Sequence, residues 1–579
     1  MRSARKSRHR SVPADPASAA TPAPELTVRA LATGMLLGAV LAPCNVYSGL
    51  KIGWSFNMSI AALLLGYMFW VPLTRWFGGQ KWDLLESNIS QTTASSAASI
   101  ISGGLVAPLP ALAMIEGDNL PLGQLIPWVF AVSFFGIWVG WYLRGRLVVA
   151  AGLPFPAGMA TAETMLDIFS RGATAARRVV MLLSSLAAAL AVNFVDKVVW
   201  ALPRWAPTAT AKQYTFMFDP SLLLLGFGSI IGLRAGLGLL LGALLAWGLV
   251  APLLVSAGDV QLAAGGDSFQ ALVGWLLWPG VALMLTSSLV SLGFALLRAG
   301  PDAAAVDDPE HAAERRLRLG GCLAAAALVI ALQIVVFDIH WTMALLAVPL
   351  AFVLALVAAR VTGETGIPPV GAIGKLSQLT FGVLAPLQTT TNLMTANVAG
   401  GAAGQCADLL NDLKAGQAVG ARPARQIAAQ CLGVLTGSVV GSLVYVSLIE
   451  RPREQLLTAE WPAPAVATWK AVAETLSAGL DSVPVSALWA MLVASLVGAV
   501  LAVLERRLRP ALLRWVPSGA SLGLAFVVPA STSITLFLGA LLGALLSRLA
   551  PGWSRVYLLS VAAGLVAGES LFGVAAVWF

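Results

Sequence analysis

Charged residues are scarce in this sequence: Asp, Glu, Lys and Arg make up 11% of its 579 residues, whereas a soluble domain carries about 25%. Hydrophobic residues make up 58%. Apolar runs of roughly 18 to 25 residues, the length that crosses a bilayer core as a helix, recur from Leu26 to Phe579. The composition therefore indicates an integral membrane protein with no room for a soluble domain between the runs.

Cysteine and histidine are rare as well. The four cysteines show no CxxC spacing and the three histidines are far apart: Cys44, Cys322, Cys406, Cys431, His9, His311 and His340. This pattern indicates neither a disulfide framework nor a metal site, and we expect no bound metal or cofactor. The sequence also lacks HExxH and GxGD motifs, which argues against a membrane-embedded protease or transferase. It has no nucleotide-binding domain to supply energy.

The apolar runs are continuous, so they do not match the alternating segments of about 10 residues that a transmembrane β-barrel needs. We predict an all-α polytopic membrane protein with about 14–16 hydrophobic segments, several of them broken or re-entrant.

The chain divides into two membrane halves. Residues 1–25 are basic and rich in Ser, Pro and Ala, which predicts a disordered tail. Residues 298–318 form a polar linker between halves at 26–297 and 319–579. The net charge of +8 lies in short clusters between apolar runs, which is typical of topology signals and not of a nucleic-acid-binding surface. The positive-inside rule then predicts a cytoplasmic N-terminus.

Residues 389–416 form a small and polar stretch between apolar neighbours. At helical spacing, one face of this stretch carries amides, glycines and a carboxylate: Asn397, Gly401, Gly404, Asp408 and Asn411. Lipid cannot satisfy such a stripe, so we expect it to face protein or water.

The first part of this stretch, residues 392–404, is similar to residues 88–99 in the other half. Interrupted segments at matching places in two repeats point to a binding site in transport proteins. We therefore expect both segments to face a common central cavity. The last part carries Asp412 and Lys414 toward basic residues, which predicts interfacial positions for both. The pattern leaves Asp408 undecided between the two environments.

Four further stretches combine polar residues with an apolar run: residues 45–54, 86–102, 154–163 and 363–375. The first indicates a polar turn at the end of a span. Prolines and glycines interrupt the last two, which frees backbone groups that only protein or water can satisfy. Glu569 lies within the final apolar run, where a carboxylate costs a few kcal/mol unless it is partnered. The alternatives are interfacial anchoring, helix capping and interhelical hydrogen bonding.

Taken in order, these blocks resemble the oligopeptide transporter family, in its bacterial branch. The family also contains the yellow stripe-like metal-chelate carriers. The strongest block is residues 392–416, followed by Arg422-Pro-Ala-Arg-Gln426, and residues 517–543 and 564–573 resemble the family's closing segments. The resemblance spans residues 27–579. It implies a polytopic carrier that imports peptides or peptide-like metal chelates, usually together with protons.

On this basis we expect a secondary active transporter, not an enzyme, that imports small peptides or peptide-like solutes across the bacterial inner membrane by proton symport. Uptake of siderophore-like metal chelates is the alternative, and a channel or a membrane-embedded enzyme is less favoured. The predicted partners are the solute, protons and the lipid bilayer. Homo-oligomerisation is left open, and nucleic acid is excluded.

Two sets of residues are predicted to carry this function. Amide side chains in the polar stretches would hydrogen-bond the solute: Asn45, Asn88, Gln91, Asn392, Asn397 and Asn411. Carboxylates in or beside broken segments would couple transport to protons or other cations: Glu86, Glu163, Glu364, Asp408 and Glu569.

Overall fold

The computed structural model describes residues 25–55, 58–170, 172–262, 268–298, 312–366, 368–479, 483–513 and 516–578. No strand occurs among these residues. Thirteen of the helices that they form are long and apolar enough to cross a membrane. The predicted all-α polytopic fold is therefore confirmed. The predicted tail, apart from its last residue, and most of the predicted polar linker lie outside the described residues.

The first half of the chain supplies twelve α-helices within the described residues. In chain order they are α1 (Val28–Ile52), α2 (Ser59–Phe77), α3 (Leu84–Ala98), α4 (Pro108–Glu116), α5 (Leu122–Arg144), α6 (Pro156–Ser170), α7 (Gly172–Phe194), α8 (Ala209–Gln213), α9 (Leu222–Ile231), α10 (Leu233–Ala243), α11 (Ala251–Ala257) and α12 (Ser268–Arg298).

The second half supplies twelve more within the described part of the chain. They are α13 (Ala312–Phe337), α14 (Trp341–Thr365), α15 (Val370–Leu384), α16 (Thr389–Val419), α17 (Pro423–Leu448), α18 (Pro452–Gln455), α19 (Pro464–Ala478), α20 (Val485–Arg507), α21 (Pro510–Leu513), α22 (Gly519–Leu524), α23 (Ala530–Leu549) and α24 (Pro551–Ala575). Residues 312–318, which the sequence assigned to the linker, are therefore helical.

Helix α16 forms the centre of the bundle. Of its 31 residues, 24 are buried, and it packs against α5, α6, α14 and α15. At 1.5 Å per residue it is about 46 Å long, well beyond a hydrocarbon core of about 30 Å. Its polar stripe faces other helices, as the sequence predicted, because the surrounding protein can offer the hydrogen bonds that lipid lacks.

Helix α3 is the other deeply buried polar helix, with 13 of its 15 residues buried. It packs against α1 and α17. Small residues make this close approach possible: a Cβ atom at Gly433 would overlap the Thr93 carbonyl oxygen, and one at Gly437 would overlap Ala97. Such glycine-mediated backbone contacts are the usual way in which membrane helices pack closely.

Two broken stretches predicted from the sequence lie side by side. The chain between α5 and α6 turns at Phe155, where the left-handed backbone (φ 44°) precedes Pro156. The chain between α14 and α15 breaks at Gly366 (φ 81°). The Phe155 N–H donates to the Gly363 carbonyl over 2.9 Å. This hydrogen bond satisfies one backbone group at each of the two breaks.

A third break interrupts the helix that begins with α3. A short 3₁₀ segment, Ser99–Gly103, follows α3, and the chain then turns at Gly104 with φ 111° before α4 starts. A Cβ atom at Gly104 would overlap the Asn397 side chain. Both the positive φ and this contact require glycine.

A span ends within residues 45–54, as the sequence predicted, but the turn begins only at Gly53. Helix α1 continues through Ile52 and ends at Gly53 (φ 73°). The polar residues of this stretch remain helical because they face protein: Gly49, for example, lies against Val106.

The bundle has two polar ends that α1 connects. We call end A the end that carries the Arg425–Glu25 ion pair (Nη1–Oε2, 3.2 Å), and end B the end at which Lys51 Nζ donates to the Glu460 carbonyl over 2.5 Å. Glu25 lies just before α1 and Lys51 in its last turn. At 25 residues the helix is about 37 Å long, enough to cross a hydrocarbon core of about 30 Å.

Candidate functional site

A buried carboxylate surrounded by glutamines lies between α3, α16 and α17. Asp412 is 3% exposed. Its Oδ1 accepts a hydrogen bond from Gln91 Nε2 and its Oδ2 one from Gln430 Nε2, both over 2.7 Å, and Gln426 Nε2 donates to its backbone carbonyl over 2.8 Å. We call Gln91, Gln426, Gln430 and the neighbouring Gln405 the amide cage.

The amide cage continues beyond Asp412. Gln405 Nε2 donates to Gln430 Oε1 over 3.0 Å, and Ser96 Oγ donates to the Gln430 backbone carbonyl over 2.8 Å. Oε1 of Gln91, Gln405 and Gln426 has no hydrogen-bond partner in the described part of the chain. A buried acceptor without a donor is costly. The amide cage therefore holds spare acceptors around a carboxylate.

Asp408 lies one helical turn before Asp412 and is less enclosed. It is the one residue from Thr391 to Leu413 that is not buried. Ser99, the first residue of the 3₁₀ segment, lies beside its carboxylate, and Ser99 and Ser102 are themselves half-buried. Asp408 therefore faces accessible space at the place where the helix that begins with α3 breaks.

Two predicted solute-binding amides have unused hydrogen-bonding capacity. Asn397 Nδ2 donates to the Gly103 carbonyl over 3.1 Å, but its Oδ1 has no partner among the described residues. Both polar side-chain atoms of Asn88 lack a partner there as well. A third predicted amide, Gln91, donates to Asp412 through Nε2, and its own Oε1 has no partner in the described part of the chain. Gln91 contacts Asp412 and Asn397 contacts Gly103, so residues 88–99 and 392–404 are offset along the two helices, and a common cavity between them stays a prediction.

The other three predicted solute-binding amides make interhelical contacts. Asn392 and Gln378 exchange hydrogen bonds that join α15 to α16 (2.5 and 3.2 Å). Asn411 Oδ1 accepts from the Gly158 N–H over 3.3 Å, at the start of α6. Asn45 Nδ2 donates to the Ala98 carbonyl over 2.9 Å, where α3 ends. These contacts satisfy backbone groups or join helices, which is the structural alternative that the sequence left open.

Three of the predicted coupling carboxylates lie away from Asp412. Glu86 is fully buried and forms an ion pair with Arg29, whose Nε lies 2.7 Å from Glu86 Oε1. Thr27 Oγ1 also donates to Oε1 over 2.6 Å, and the carboxylate caps the start of α3. Glu163 is exposed on α6. Glu364 pairs with Arg360 over 3.3 Å, and its side chain is half exposed.

Glu569 lies at end B, where it lines an open pocket. Its carboxylate accepts hydrogen bonds from Ser221 Oγ (2.7 Å), the Leu223 N–H (2.9 Å) and Asn193 Nδ2 (3.4 Å). The bond from the Leu223 N–H caps the start of α9. The pocket wall includes Lys51, Arg204, Asp219 and Glu460. Asp219 lies in the loop before α9, and burial raises the pKa of its carboxyl group above the ordinary value. Glu569 and Asp412 therefore belong to opposite ends of the bundle.

The sequence reasoning placed Asp412 at the interface, and this prediction is wrong. Gln91 of α3 and Gln426 and Gln430 of α17 cover Asp412, so it lies inside the protein. Gln405, Gln426 and Gln430 were missed. Their spacing could have indicated them. Gln426 and Gln430 lie four residues apart, and Gln405 and Asp412 lie seven apart, so each pair falls on one helical face.

Comparisons with known proteins agree with this architecture. The family described as "OPT oligopeptide transporter protein" matches residues 25–309 and 310–579. The yeast protein named "Putative oligopeptide transporter YGL114W" (Saccharomyces cerevisiae) is 22% identical, over 95% of both chains. The Arabidopsis thaliana protein named "Metal-nicotianamine transporter YSL2" is 24% identical, over 95% of this chain and 92% of its own. The matched segments cover nearly the whole sequence, so this chain belongs to the OPT oligopeptide transporter family.

Proposed function

We propose that this chain is a secondary active transporter that imports small peptides or peptide-like solutes together with protons. The observation that carries the proposal is the pair Asp408 and Asp412 on one face of α16. One carboxylate is enclosed by the amide cage and the other faces accessible space at a helix break. Carboxylates inside a membrane bundle mark ion or proton pathways by default.

The amide cage suits a carboxylate that gains and loses a proton. An ionised Asp412 accepts hydrogen bonds from two glutamine Nε2 groups. A protonated Asp412 carries an O–H that must donate, and the unpartnered Oε1 of Gln91 is an acceptor next to it. Rotation of this amide by 180° exchanges its donor and acceptor. The cage can therefore accommodate both states without raising the number of unpartnered polar atoms, since rotation leaves Nε2 of Gln91 unpartnered in place of Oε1.

Asp408, Asn397 and Asn88 are the proposed solute contacts. The Asp408 carboxylate suits a cationic group such as a peptide's α-ammonium, and Asn397 Oδ1 and the Asn88 amide offer hydrogen bonds to peptide groups. Asp408 and Asn397 lie beside the 3₁₀ segment, and Asn88 lies eleven residues before it on α3. Irregular backbone at this depth is tolerated where it is buried in protein or lines a water-filled cavity.

We further propose that end A faces the cytoplasm of a bacterial inner membrane. End A carries Arg29, Arg75, Arg422 and Arg425, and an excess of basic residues is typical of cytoplasmic loops. Solute would then enter from end B, where the pocket around Glu569 is open.

Purified protein in liposomes with an imposed pH gradient, acid outside, tests the proposed transport. A radiolabelled library of di- and tripeptides should accumulate inside, and a protonophore should abolish the accumulation. Absence of accumulation across the library would contradict peptide transport.

Uptake of metal chelates is the second candidate, because the relatives of this chain include proteins named metal-nicotianamine transporters. The described residues hold no group of three or more His, Cys, Asp or Glu that could bind a metal directly. A metal cargo would therefore be recognised through its chelator. An iron chelate that accumulates under the same gradient, while peptides do not, would favour this second function.

A further inference from the structure

Among the described residues, Lys375 is a buried lysine without a partner. It lies in the second turn of α15 and is 7% exposed. Among the described residues, its Nζ forms neither a hydrogen bond nor an ion pair. Every other lysine or arginine discussed above makes a contact with a carboxylate or a carbonyl, or lies at a polar end of the bundle. Lys375 therefore stands out within the bundle interior.

A buried ammonium without a counter-charge destabilises a folded protein, because burial removes its hydration and nothing replaces it. Ionisable residues inside membrane bundles pair with one another or with carbonyl groups, or they line a pathway for a solute or ion. Lys375 has no partner of the first two kinds in the described chain. The remaining role is to line a pathway for a solute or ion.

The described residues leave space beside Lys375. Gly371, one turn earlier on α15, is exposed, and among the described residues a Cβ atom placed there would meet only Lys375 Nζ, at 4.0 Å. Gly371 follows directly on the break that contains Gly366, Pro368 and Pro369. The ammonium group thus borders the accessible space at this break.

The same break adjoins the face of α16 that carries Asp408. A Cβ atom at Gly404 would lie 3.5 Å from Val370 Cγ2 and 2.9 Å from Ser102 Oγ. Gly404 is one turn before Asp408, and Val370 is the first residue of α15. No ion pair within 4.0 Å joins Lys375 to Asp408 in the described residues. Lys375 and Asp408 therefore lie on neighbouring helices that meet beside this break, and no ion pair neutralises either group among the described residues.

We propose that Lys375 binds a carboxylate of the transported solute and so selects solutes that carry a free carboxylate. This inference rests on the proposed transport function and names a specificity-determining residue for it. The carboxylate belongs either to the C-terminus of a peptide or to a metal chelator, because both present the same group. In the peptide case, Asp408 binds the α-ammonium at the other end.

Binding to the detergent-purified full chain tests the proposal. The peptide probes are tri-alanine and tri-alanine amide, which differ only in the C-terminal charge. The chelate probes are iron(III) citrate and an uncharged iron trihydroxamate. The variants are Lys375→Met and, as a matched control, Lys470→Met on α19, whose Nζ pairs with Glu474 Oε1 over 2.7 Å.

The wild type should bind the carboxylate probe of at least one pair more tightly than its uncharged counterpart by more than about tenfold, since truncating one partner of a buried charge pair costs that much or more. Lys375→Met should bind both members of that pair equally, and Lys470→Met should keep the preference. The ligand-free Lys375→Met protein should also unfold at a higher temperature, because an unpaired buried charge is removed. A residue with a purely structural role would instead lower the unfolding temperature when replaced.

Two results would overturn the proposal: no preference for the carboxylate probe in either pair, or a preference that Lys375→Met retains. A preference that depends on Lys375 and appears only with the chelates would support the carboxylate site and would count against peptide transport. The two proposals can therefore fail separately.

Discussion

Gln91 on α3 donates a 2.7 Å hydrogen bond to the Asp412 carboxylate on α16, across 321 residues of sequence. Gln430 on α17 donates to the other carboxylate oxygen over the same distance. One buried carboxylate thus joins helices from both halves of the chain. A proton that binds to Asp412 changes the hydrogen bonds of all three helices at once, which is what coupling between a proton and a conformational change requires.

The contact between α3 and α17 predicts a steric effect at Gly433. Alanine there would place a Cβ atom against the Thr93 carbonyl oxygen, so we expect Gly433→Ala to destabilise the fold by about 1–3 kcal/mol. Gly274→Ala on α12 is the matched control, because Gly274 is helical and exposed and no described residue would lie within 4 Å of the added Cβ atom. Unfolding of both variants in detergent measures the difference. Equal stability of the two would contradict this packing.

The ion pair between Arg29 and Glu86 predicts that Glu86 stabilises the structure. Breaking a buried ion pair costs about 3–5 kcal/mol, so Glu86→Gln should unfold far more easily than the wild type. Uptake driven by a pH gradient, expressed per folded molecule, should persist, because the pair lies away from Asp412. Glu163→Gln, at an exposed position, is the control and should change neither quantity. Loss of gradient-driven uptake by folded Glu86→Gln would restore Glu86 as a coupling candidate.

The proposed orientation predicts which exposed residues face outward. In a chain whose four cysteines are replaced by alanine, Glu460→Cys at end B should react with a membrane-impermeant maleimide in intact cells. Gln417→Cys, which is exposed near end A, should react only after the membrane is permeabilised. The reverse labelling pattern would place the N-terminal end outside.

The elements of the fold follow from the sequence to a large extent. Continuous apolar runs predict spanning helices, and the polar stripe of α16 must face protein because lipid cannot satisfy it. The breaks before α6 and α15 follow from proline and glycine, which cannot continue a helix in those positions. Periodicity and backbone chemistry are local properties, so a single sequence reveals them.

The partners of each buried group do not follow from the sequence. Asp412 lies four residues from the end of the buried part of α16 and next to Lys414, so local charge predicted an interfacial position. Contacts with Gln91 and Gln426 bury Asp412 instead, and these contacts depend on how α3 and α17 pack. Glu86 shows the same limit, because its Arg29 partner lies 57 residues away. Tertiary packing, not helical spacing, determines which polar residues form a site.

Asp412→Asn in proteoliposomes tests the central claim most directly. Asparagine preserves the size of the side chain and can still bond to the amide cage after one glutamine amide rotates, but it cannot bind or release a proton. We predict that the variant loses pH-gradient-driven accumulation of peptide, down to the level of protein-free liposomes, while it still exchanges labelled for unlabelled peptide at equal pH. Glu364→Gln, at the half-exposed pair with Arg360, should retain both activities. Accumulation by Asp412→Asn at the wild-type level would contradict the proposed role of Asp412.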